Sequence, residues 1–442
     1  MIVSPAFADK RFAVLGLARS GVTSVDSLLA SGARVTVWDA REEPRAAFEG
    51  RCDIADPLAI DLAGFAGVVV SPGVPLNRHP IADHARAAGV PVIGDIELFA
   101  QARGSLPPHR VVGITGTNGK STTTMLVHHI CAAAGLPVRL GGNIGLPILG
   151  QEPLELNGAG AGVYVLELSS YQIDLTQQLD CDVAALINIS PDHLDRYDGF
   201  AGYAASKARL FAMQDASHHA VFGRGDAHTL AIADANLATH APGTVHVVDP
   251  AALEGQAAWP SLQGPHNLQN AAIAVEIARQ LGIGEEVWRP ALASFVGLPH
   301  RMERVAEYNG VLFVNDSKAT NPASTAPALG AYPRIHWILG GLPKGDDLDD
   351  CLPYLDHVVA AYTIGEAGPR FAEILRPMVP VNRSEMLCDA VRHAMEAAQP
   401  GDVVMLSPAC ASFDQFRDFE ARGDSFRQIV QALIEEGEVP CP

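Results

Sequence analysis

Short apolar runs alternate along the chain with helix-length segments, the pattern of a parallel α/β architecture. A first block predicts strands over Phe12–Gly16, Val35–Trp38, Val68–Ser71 and Val92–Ile93. A helical stretch, Gly21–Ala30, separates the first two and ends at Ser31-Gly32, and this small doubly wound block closes near Phe99. The polar, proline-rich segment Gln101–Arg110 then reads as a linker. A second block places strands at Val111–Thr115, Val163–Leu168, Val183–Asn188 and His219–Phe222, with an Ala- and Ile-rich helix around Asn267–Leu281 to pack on them. Gly297–Arg301 reads as a hinge. Beyond it, Val311–Asn315, Ile335–Gly340, Val358–Ile364 and Val403–Leu406 form a third block. The expectation is an α/β chain of three domains, 1–100, 101–298 and 299–442, with no short-period repeat.

Composition narrows the function. The 442 residues are 48% hydrophobic and 18% charged, enough apolar matter for large cores. A net charge of −19 argues against nucleic-acid binding, which needs basic surface to displace counterions. Anionic substrates would have to be held by a few local Lys and Arg side chains against a repulsive field. The seven cysteines are dispersed and form no C-x-x-C pair, which reads as reduced cytosolic thiols. No signal peptide is evident, and no run reaches the ~20 apolar residues that span a bilayer. A cytoplasmic protein without membrane insertion is expected.

The strongest local signal is Val111-Val-Gly-Ile-Thr-Gly-Thr-Asn-Gly-Lys120-Ser121-Thr122. A β-run enters a glycine-rich turn and a helix begins near Lys120. Gly116, Thr117, Asn118 and Gly119 can bring backbone N–H groups against a phosphate, and the helix N-terminus adds partial positive charge. Lys120 can bridge outer phosphates, and the Ser121 hydroxyl can ligate Mg²⁺. The loop departs from the common P-loop pattern, because Ile114 stands where that pattern has its first glycine and Gly113 is one residue early. Two downstream strand ends carry Glu167-Leu-Ser-Ser-Tyr171 and Asp192-His193-Leu-Asp195-Arg196-Tyr197. Ligands of open parallel sheets bind at such ends. Glu167 suits a hard cation. His193 is open between metal ligand, base and helix cap, while Asp192, Asp195 and Asp198 read as first-turn helix acids. Lys207 by its local sequence is a solvated helix lysine.

Together these segments resemble the Mur ligase family. The resemblance covers GTNGKST, GGNIG at Gly141–Gly145, ELSSYQ at Glu167–Gln172, DHLDRY at Asp192–Tyr197 and GPHNLQNAAIA at Gly264–Ala274. It continues through LPHRMERV at Leu298–Val305, NDSKATNP at Asn315–Pro322 and SPACASFDQF at Ser407–Phe416, in order along nearly the whole chain. The last two motifs are similar to those of the branch that adds D-glutamate to UDP-N-acetylmuramoyl-L-alanine in cytoplasmic peptidoglycan precursor synthesis.

The resemblance implies an N-terminal Rossmann-like UDP-binding domain, a central P-loop-type ATPase domain and a C-terminal Rossmann-like domain for the amino acid. It implies an ADP-forming ligase that works through an acyl phosphate, with ATP and two Mg²⁺ sites. Lys120 would hold the γ-phosphate. Ser121 and Glu167 would hold one Mg²⁺, and His193 with a carbamylated Lys207 the second. Asn143 would contact the reacting phosphate or carboxylate. Asn267, Asn270, Arg301 and Asp316 would serve the nucleotide, and Lys318, Thr320, Lys344, Ser412 and Phe419 the D-glutamate. Arg19, Ser20, Asp39, Arg41, Ser71 and Gly73 become candidates for the uridine and diphosphate, with Asn143 and His193 also on that substrate. A monomer is expected. Two segments depart from the pattern: Leu342-Pro343-Lys344 lacks an acidic residue and glycine before the lysine, and Gly16–Gly21 is no dinucleotide fingerprint.

Three other readings compete. A folylpolyglutamate synthetase-like ligase shares the chemistry but lacks a separate UDP-binding domain before the ATP loop. A non-ligase P-loop ATPase leaves the NDSKATN and SPACAS segments without a role. A nicotinamide dehydrogenase would rest on the first domain alone.

Overall fold

The computed structural model describes residues 1–345 and 347–438, with backbone alone for 437 and 438. It contains three mostly parallel sheets. The first is built from β1 (Arg11–Leu15), β2 (Arg34–Trp38), β3 (Asp53–Ile54), β4 (Gly67–Val70) and β5 (Val92–Ile93), in the order β3-β2-β1-β4-β5. The second has β6 (His109–Thr115), β7 (Val138–Gly142), β8 (Gly162–Glu167), β9 (Val183–Leu186), β10 (His219–Gly223) and β11 (Val245–Val248), ordered β11-β10-β9-β6-β8-β7. The third has β12 (Glu303–Tyr308), β13 (Val311–Asn315), β14 (Ile335–Gly340), β15 (Val358–Ile364), β16 (Val381–Glu385) and β17 (Val403–Leu406), ordered β12-β13-β17-β14-β15-β16.

The central strands are the apolar runs, because parallel strands are covered on both faces. Each residue of β4, β6 from Val111, β8 and β9 is buried. In the first sheet the strand order reverses between β1 and β4, and in the second between β6 and β9. Such reversals open a crevice at the carboxyl ends of the strands. Gly16 and Ser71 stand at the first crevice, and Gly116 and Asn188 at the second.

The chain divides into two compact units, Met1–Ala252 with Asn270–Ala291, and Leu253–Gln269 with the residues from Leu292 onward. The first unit holds the first two sheets around a shared apolar core that runs from Phe12 and Val14 to Leu166 and Leu186. The polar segment expected to be a linker, Gln101–Arg110, is tied down within that unit. Its start belongs to the helix Asp95–Ala102 and its end to β6, and Arg103 donates to Asp180 O and to Asp182 Oδ2 (3.3 Å). Glu97, buried in the same helix, accepts from the backbone N–H of Gln177 (2.7 Å) and Gln178 (3.1 Å).

Five strands lie outside the expected set: β3, β7, β11, β12 and β16. All five are edge strands, whose polar or short sequences carry no continuous apolar signal. β12 pairs antiparallel with β13, so the third sheet is mixed. Val183–Asn188 leaves the strand after Leu186, which frees Asn188 to turn toward the neighbouring loop.

The second unit contains a buried polar chain at the start of β14 and β17. His336 bonds the Tyr362 hydroxyl (3.0 Å) and Asp402 (3.1 Å), and Arg334 donates to Asp402 at 2.6 Å. Burial raises the Asp402 carboxyl, but Arg334, the Gln399 N–H and His336 outweigh it and hold the pKa at about 2. The unfolded value is ~3.9. A folded value below the unfolded one stabilises the native state above about pH 4, and the contribution is lost as pH falls toward 2. Asp402→Asn should therefore lower the stability of this unit by about 1–3 kcal/mol at neutral pH. Urea midpoints should show the deficit shrinking between pH 4 and 2; a deficit unchanged across that range would contradict the charge argument.

Candidate active site

At the end of β6 the chain turns through Gly116–Gly119 into the helix Lys120–Ala133. Gly119 is in the left-handed region (φ 84°), and a Cβ there would collide with Asn270 Oδ1. Only glycine suits both the backbone and the neighbour, and it supplies no side chain to cap the first helical turn. The loop is held from β9 and the segment behind it. Asn118 N–H donates to Asn188 Oδ1 (2.9 Å), Asn188 Nδ2 donates to Asn118 O (3.2 Å), and Thr117 N–H donates to Asn188 O (2.9 Å). The Thr117 hydroxyl meets Ser190 through both backbone groups and bonds the Tyr203 hydroxyl at 3.2 Å. Asn188, Ser190 and Tyr203 have no candidate role in the sequence pattern. The one signal for Asn188 was a polar residue closing an apolar strand.

Two ammonium groups converge on one oxygen. Lys120 Nζ donates to Gly116 O (2.9 Å) and Thr117 O (2.7 Å), and Lys207 Nζ donates to the same Gly116 O at 2.8 Å. Lys207 is not the solvated lysine its local sequence implied. It is 1% exposed on the inner face of the helix Gly199–Ala212, its ammonium 4.6 Å from the Tyr203 ring centroid. Burial drives its pKa well below the ordinary lysine range, and the charge of Lys120 adds to the effect.

Glu167, at the end of β8, is 1% exposed. Its Oε1 accepts from Asn143 Nδ2 at 2.8 Å, and Asn143 N–H donates to Glu167 O at 2.8 Å. Its Oε2 is buried with no hydrogen-bond partner. A buried carboxylate oxygen left unsatisfied is costly unless a cation or donor completes it, so the donor set here fits a hard divalent cation. Among the described residues no three His, Cys, Asp or Glu side chains converge as a ready-made metal cage. That agrees with Mg²⁺, which takes one or two protein oxygens and fills its shell with phosphate and water. Ser121, buried, and Thr122 follow Lys120 on the same helix.

His193 has a left-handed backbone (φ 53°), and its half-exposed ring lies 5.2 Å from that of Tyr171 and 6.5 Å from that of Tyr203. Asp192 Oδ1 accepts from His193 N–H, and Asp198 precedes the helix Gly199–Ala212. None of Asp192, Asp195 and Asp198 sits in a first helical turn, contrary to expectation, because glycine at 199 starts the helix later.

The crevice of the first sheet gathers the other candidates. Ser71 Oγ donates to Gly16 O at 2.9 Å. Asp39 Oδ2 accepts from Leu17 N–H (2.8 Å) and Oδ1 from Arg41 N–H (3.0 Å). Burial raises the Asp39 pKa, but these donors and the Arg41 charge outweigh it, so the carboxylate is held ionised. Arg19 and Ser20 open the helix Arg19–Ala30, which has no side-chain cap, and Gly73 follows Ser71 in the adjoining turn.

In the second unit, Lys318 lies 3.9 Å from the Phe419 ring centroid and Lys344 Nζ is 3.5 Å from Thr320 Oγ1. The segment bearing Ser412 pairs with the one bearing Lys344 through Leu342 and Ala411, bonded both ways. Beneath them Arg422, 1% exposed, donates to Ser317 Oγ (3.0 Å), Ser317 O (2.9 Å), Cys410 O (3.0 Å) and Ala411 O (3.2 Å). Its surface-like sequence context hid it. Asp316 accepts from Ser407 Oγ (2.8 Å) and Met302 N–H (3.1 Å). Burial pushes its pKa up to about 7, with the Arg301 charge a lesser opposing influence. Asn267 is buried and donates to Gln263 O at 3.1 Å.

A phosphate loop, an unsatisfied carboxylate at the neighbouring strand end and two further α/β sheets are the parts of an ATP-using Mur ligase, and the chain belongs to that family. The Mur ligase MurD-like N-terminal domain matches residues 10–94, the Mur ligase middle domain 114–247 and the Mur ligase glutamate ligase domain 300–410. The chain is 86% identical over 442 residues to the UDP-N-acetylmuramoylalanine–D-glutamate ligase of Novosphingobium aromaticivorans, covering 100% of this chain and 99% of that one. It is 55% identical to the same-named ligase of Zymomonas mobilis, covering 98% and 100%. Among solved structures, the UDP-N-acetylmuramate–alanine ligase of Thermotoga maritima shares the fold at 15% identity with a TM-score of 0.57, over 96% of this chain and 99% of that one.

Asn188→Ala removes both side-chain bonds that brace the phosphate loop. It should weaken ATP binding roughly tenfold, the worth of one or two such bonds, without a matching fall in thermal stability. Calorimetric titration with ATP and Mg²⁺ checks this, and unaltered affinity would show the loop to be braced elsewhere.

Proposed function

We infer that this chain joins D-glutamate to UDP-N-acetylmuramoyl-L-alanine with hydrolysis of ATP to ADP and phosphate, in cytoplasmic peptidoglycan precursor synthesis. The observation that carries the phosphoryl-transfer chemistry is the unsatisfied Glu167 oxygen beside the loop of Lys120. The identity of the substrates rests on the relatives at 86% and 55% identity.

In the first step the alanyl carboxylate attacks the γ-phosphorus of ATP and ADP leaves. The phosphate oxygens gather negative charge in the transition state, so positioned positive groups carry most of the catalysis. Lys120 would leave its two carbonyl partners for the γ-phosphate, while the N–H groups at the start of its helix face the phosphates. Asn143, fixed to Glu167, would orient the reacting carboxylate. Ser121 and Glu167 would hold one Mg²⁺, and His193 with a carbamylated Lys207 a second, supplying neutralisation of phosphate charge. In the second step the glutamate amine, having lost its proton, attacks the acyl carbon, and phosphate leaves from the tetrahedral intermediate. Lys344, Thr320 and Ser412 would hold the glutamate carboxylates, with Lys318 set by Phe419. Asn267, Asn270, Arg301 and Asp316 would serve the nucleotide. The crevice of Arg19, Ser20, Asp39, Arg41, Ser71 and Gly73 would take the UDP moiety. The three domains would divide at about 100 and 298, and the enzyme would act as a monomer.

Phosphate release from ATP tests this reading. It should require both UDP-N-acetylmuramoyl-L-alanine and D-glutamate, and fail with L-glutamate, D-alanine or a folate acceptor. Release with another pair would move the substrate assignment, and ATP hydrolysis indifferent to both would end the ligase reading. Lys207→Ala should cut turnover by roughly 100-fold or more, with partial rescue by short carboxylic acids. A Lys207→Ala enzyme of normal activity would remove that residue's role.

A further inference from the structure

Arg196 takes no part in the arrangement around ATP, yet its surroundings are closely built. It lies half-buried in the loop before the helix Gly199–Ala212, with its guanidinium 4.4 Å from the Tyr171 ring centroid. Nη2 donates to Val74 O (3.0 Å) and Pro72 O (3.4 Å), and Nη1 to Gly73 O (3.5 Å). From the other side, Asn77 Nδ2 and Arg78 Nη2 donate to Asp195 O at 3.1 and 3.4 Å. One planar fork thus gathers three successive carbonyls of the turn that follows β4. That turn begins at Ser71, whose hydroxyl holds Gly16 O at the crevice of the first sheet.

The consequence is electrostatic as well as geometric. Carbonyl oxygens tied to a guanidinium cannot swing toward an anion in the crevice, where they would repel it. Tyr171, on which Arg196 rests, also packs on the His193 ring (5.2 Å) and stacks with Tyr197 (6.1 Å). The same support therefore carries the turn of the first sheet and the His193 loop of the second.

We propose that Arg196 is a positioning residue for the sugar nucleotide. It orients the 72–74 peptides so that Ser71 and Gly73 can receive the diphosphate, and it locks that turn to the His193 loop. This rests on the reading that the first crevice takes the UDP moiety. The phosphate loop has its own braces, Asn188 and Ser190, and is independent of Arg196.

The test is calorimetric titration of the full-length enzyme with UDP-N-acetylmuramoyl-L-alanine and, separately, with ADP and Mg²⁺, for wild type, Arg196→Lys and Arg196→Met. Both variants should bind the sugar nucleotide roughly tenfold more weakly or worse and ADP as wild type does. Lysine keeps the charge over Tyr171 but has no fork to span three carbonyls, so it should not rescue. In turnover the rise in KM for the sugar nucleotide should exceed any fall in kcat. Wild-type affinity for the sugar nucleotide in both variants would overturn the proposal, as would an equal loss of ADP binding, which marks a general loosening. Wild-type enzyme that binds ADP but no sugar nucleotide would overturn the crevice assignment, and the proposal with it.

Discussion

Two ammonium groups on one carbonyl oxygen is the constraint around which the ATP side of this molecule is organised. Lys120 and Lys207 both point at Gly116 O, and Glu167 nearby keeps one oxygen without a partner. Like charges close together in a buried place are unfavourable, and an unsatisfied carboxylate oxygen is too. Neither side chain can move far, because Lys207 is packed against Tyr203 and Glu167 is fixed by Asn143. The arrangement is relieved by a polyanion that draws Lys120 away, a cation that completes Glu167 and a chemical change that removes the positive charge of Lys207. ATP and Mg²⁺ meet the first two needs, and CO₂ would meet the third through the carbamate proposed for Lys207.

The rest of the first unit follows from holding these groups still. Parallel strands deliver Gly116, Glu167 and Asn188 to one end of the second sheet, and burial of β6, β8 and β9 on both faces fixes their register. Glycine at 119 permits the close approach of Asn270, and Asn188 replaces the last strand hydrogen bonds with bonds to the loop. In the second unit one buried arginine, Arg422, gathers the carbonyls of two segments that bear predicted glutamate-binding residues. Both units thus hold loops of unusual shape with polar side chains that reach distant backbone groups, a device that works because buried carbonyls must be satisfied.

Legibility in the sequence divided along physical lines. Central strands were plain, since a strand covered on both faces must be continuously apolar. Edge strands such as β7, β11 and β16 were not, since half of each faces solvent or lacks a neighbour. The glycine-rich loop and Glu167 were visible because their chemistry restricts residue type at fixed spacing. Lys207 was readable only through family resemblance: nothing in Ala-Ser-Lys-Ala-Arg says that the helix turns this lysine inward. Asn188, Tyr203, Arg196 and Arg422 went unseen for a related reason. Each acts on backbone groups distant in sequence, and such partners leave no local pattern. The segment Gln101–Arg110 joins the first two sheets, and its order is not visible in its polar composition, because Arg103 is tied to Asp180 and Asp182, which lie far along the chain.

The account turns on the state of Lys207, and ¹³C NMR of the enzyme equilibrated with ¹³C-bicarbonate, Mg²⁺ and ADP reads that state directly. It predicts a carbamate carbonyl resonance in the wild-type protein that is absent from Lys207→Arg and lost on acidification. A wild-type spectrum with free bicarbonate alone, from enzyme shown to be fully active in the same buffer, would contradict it.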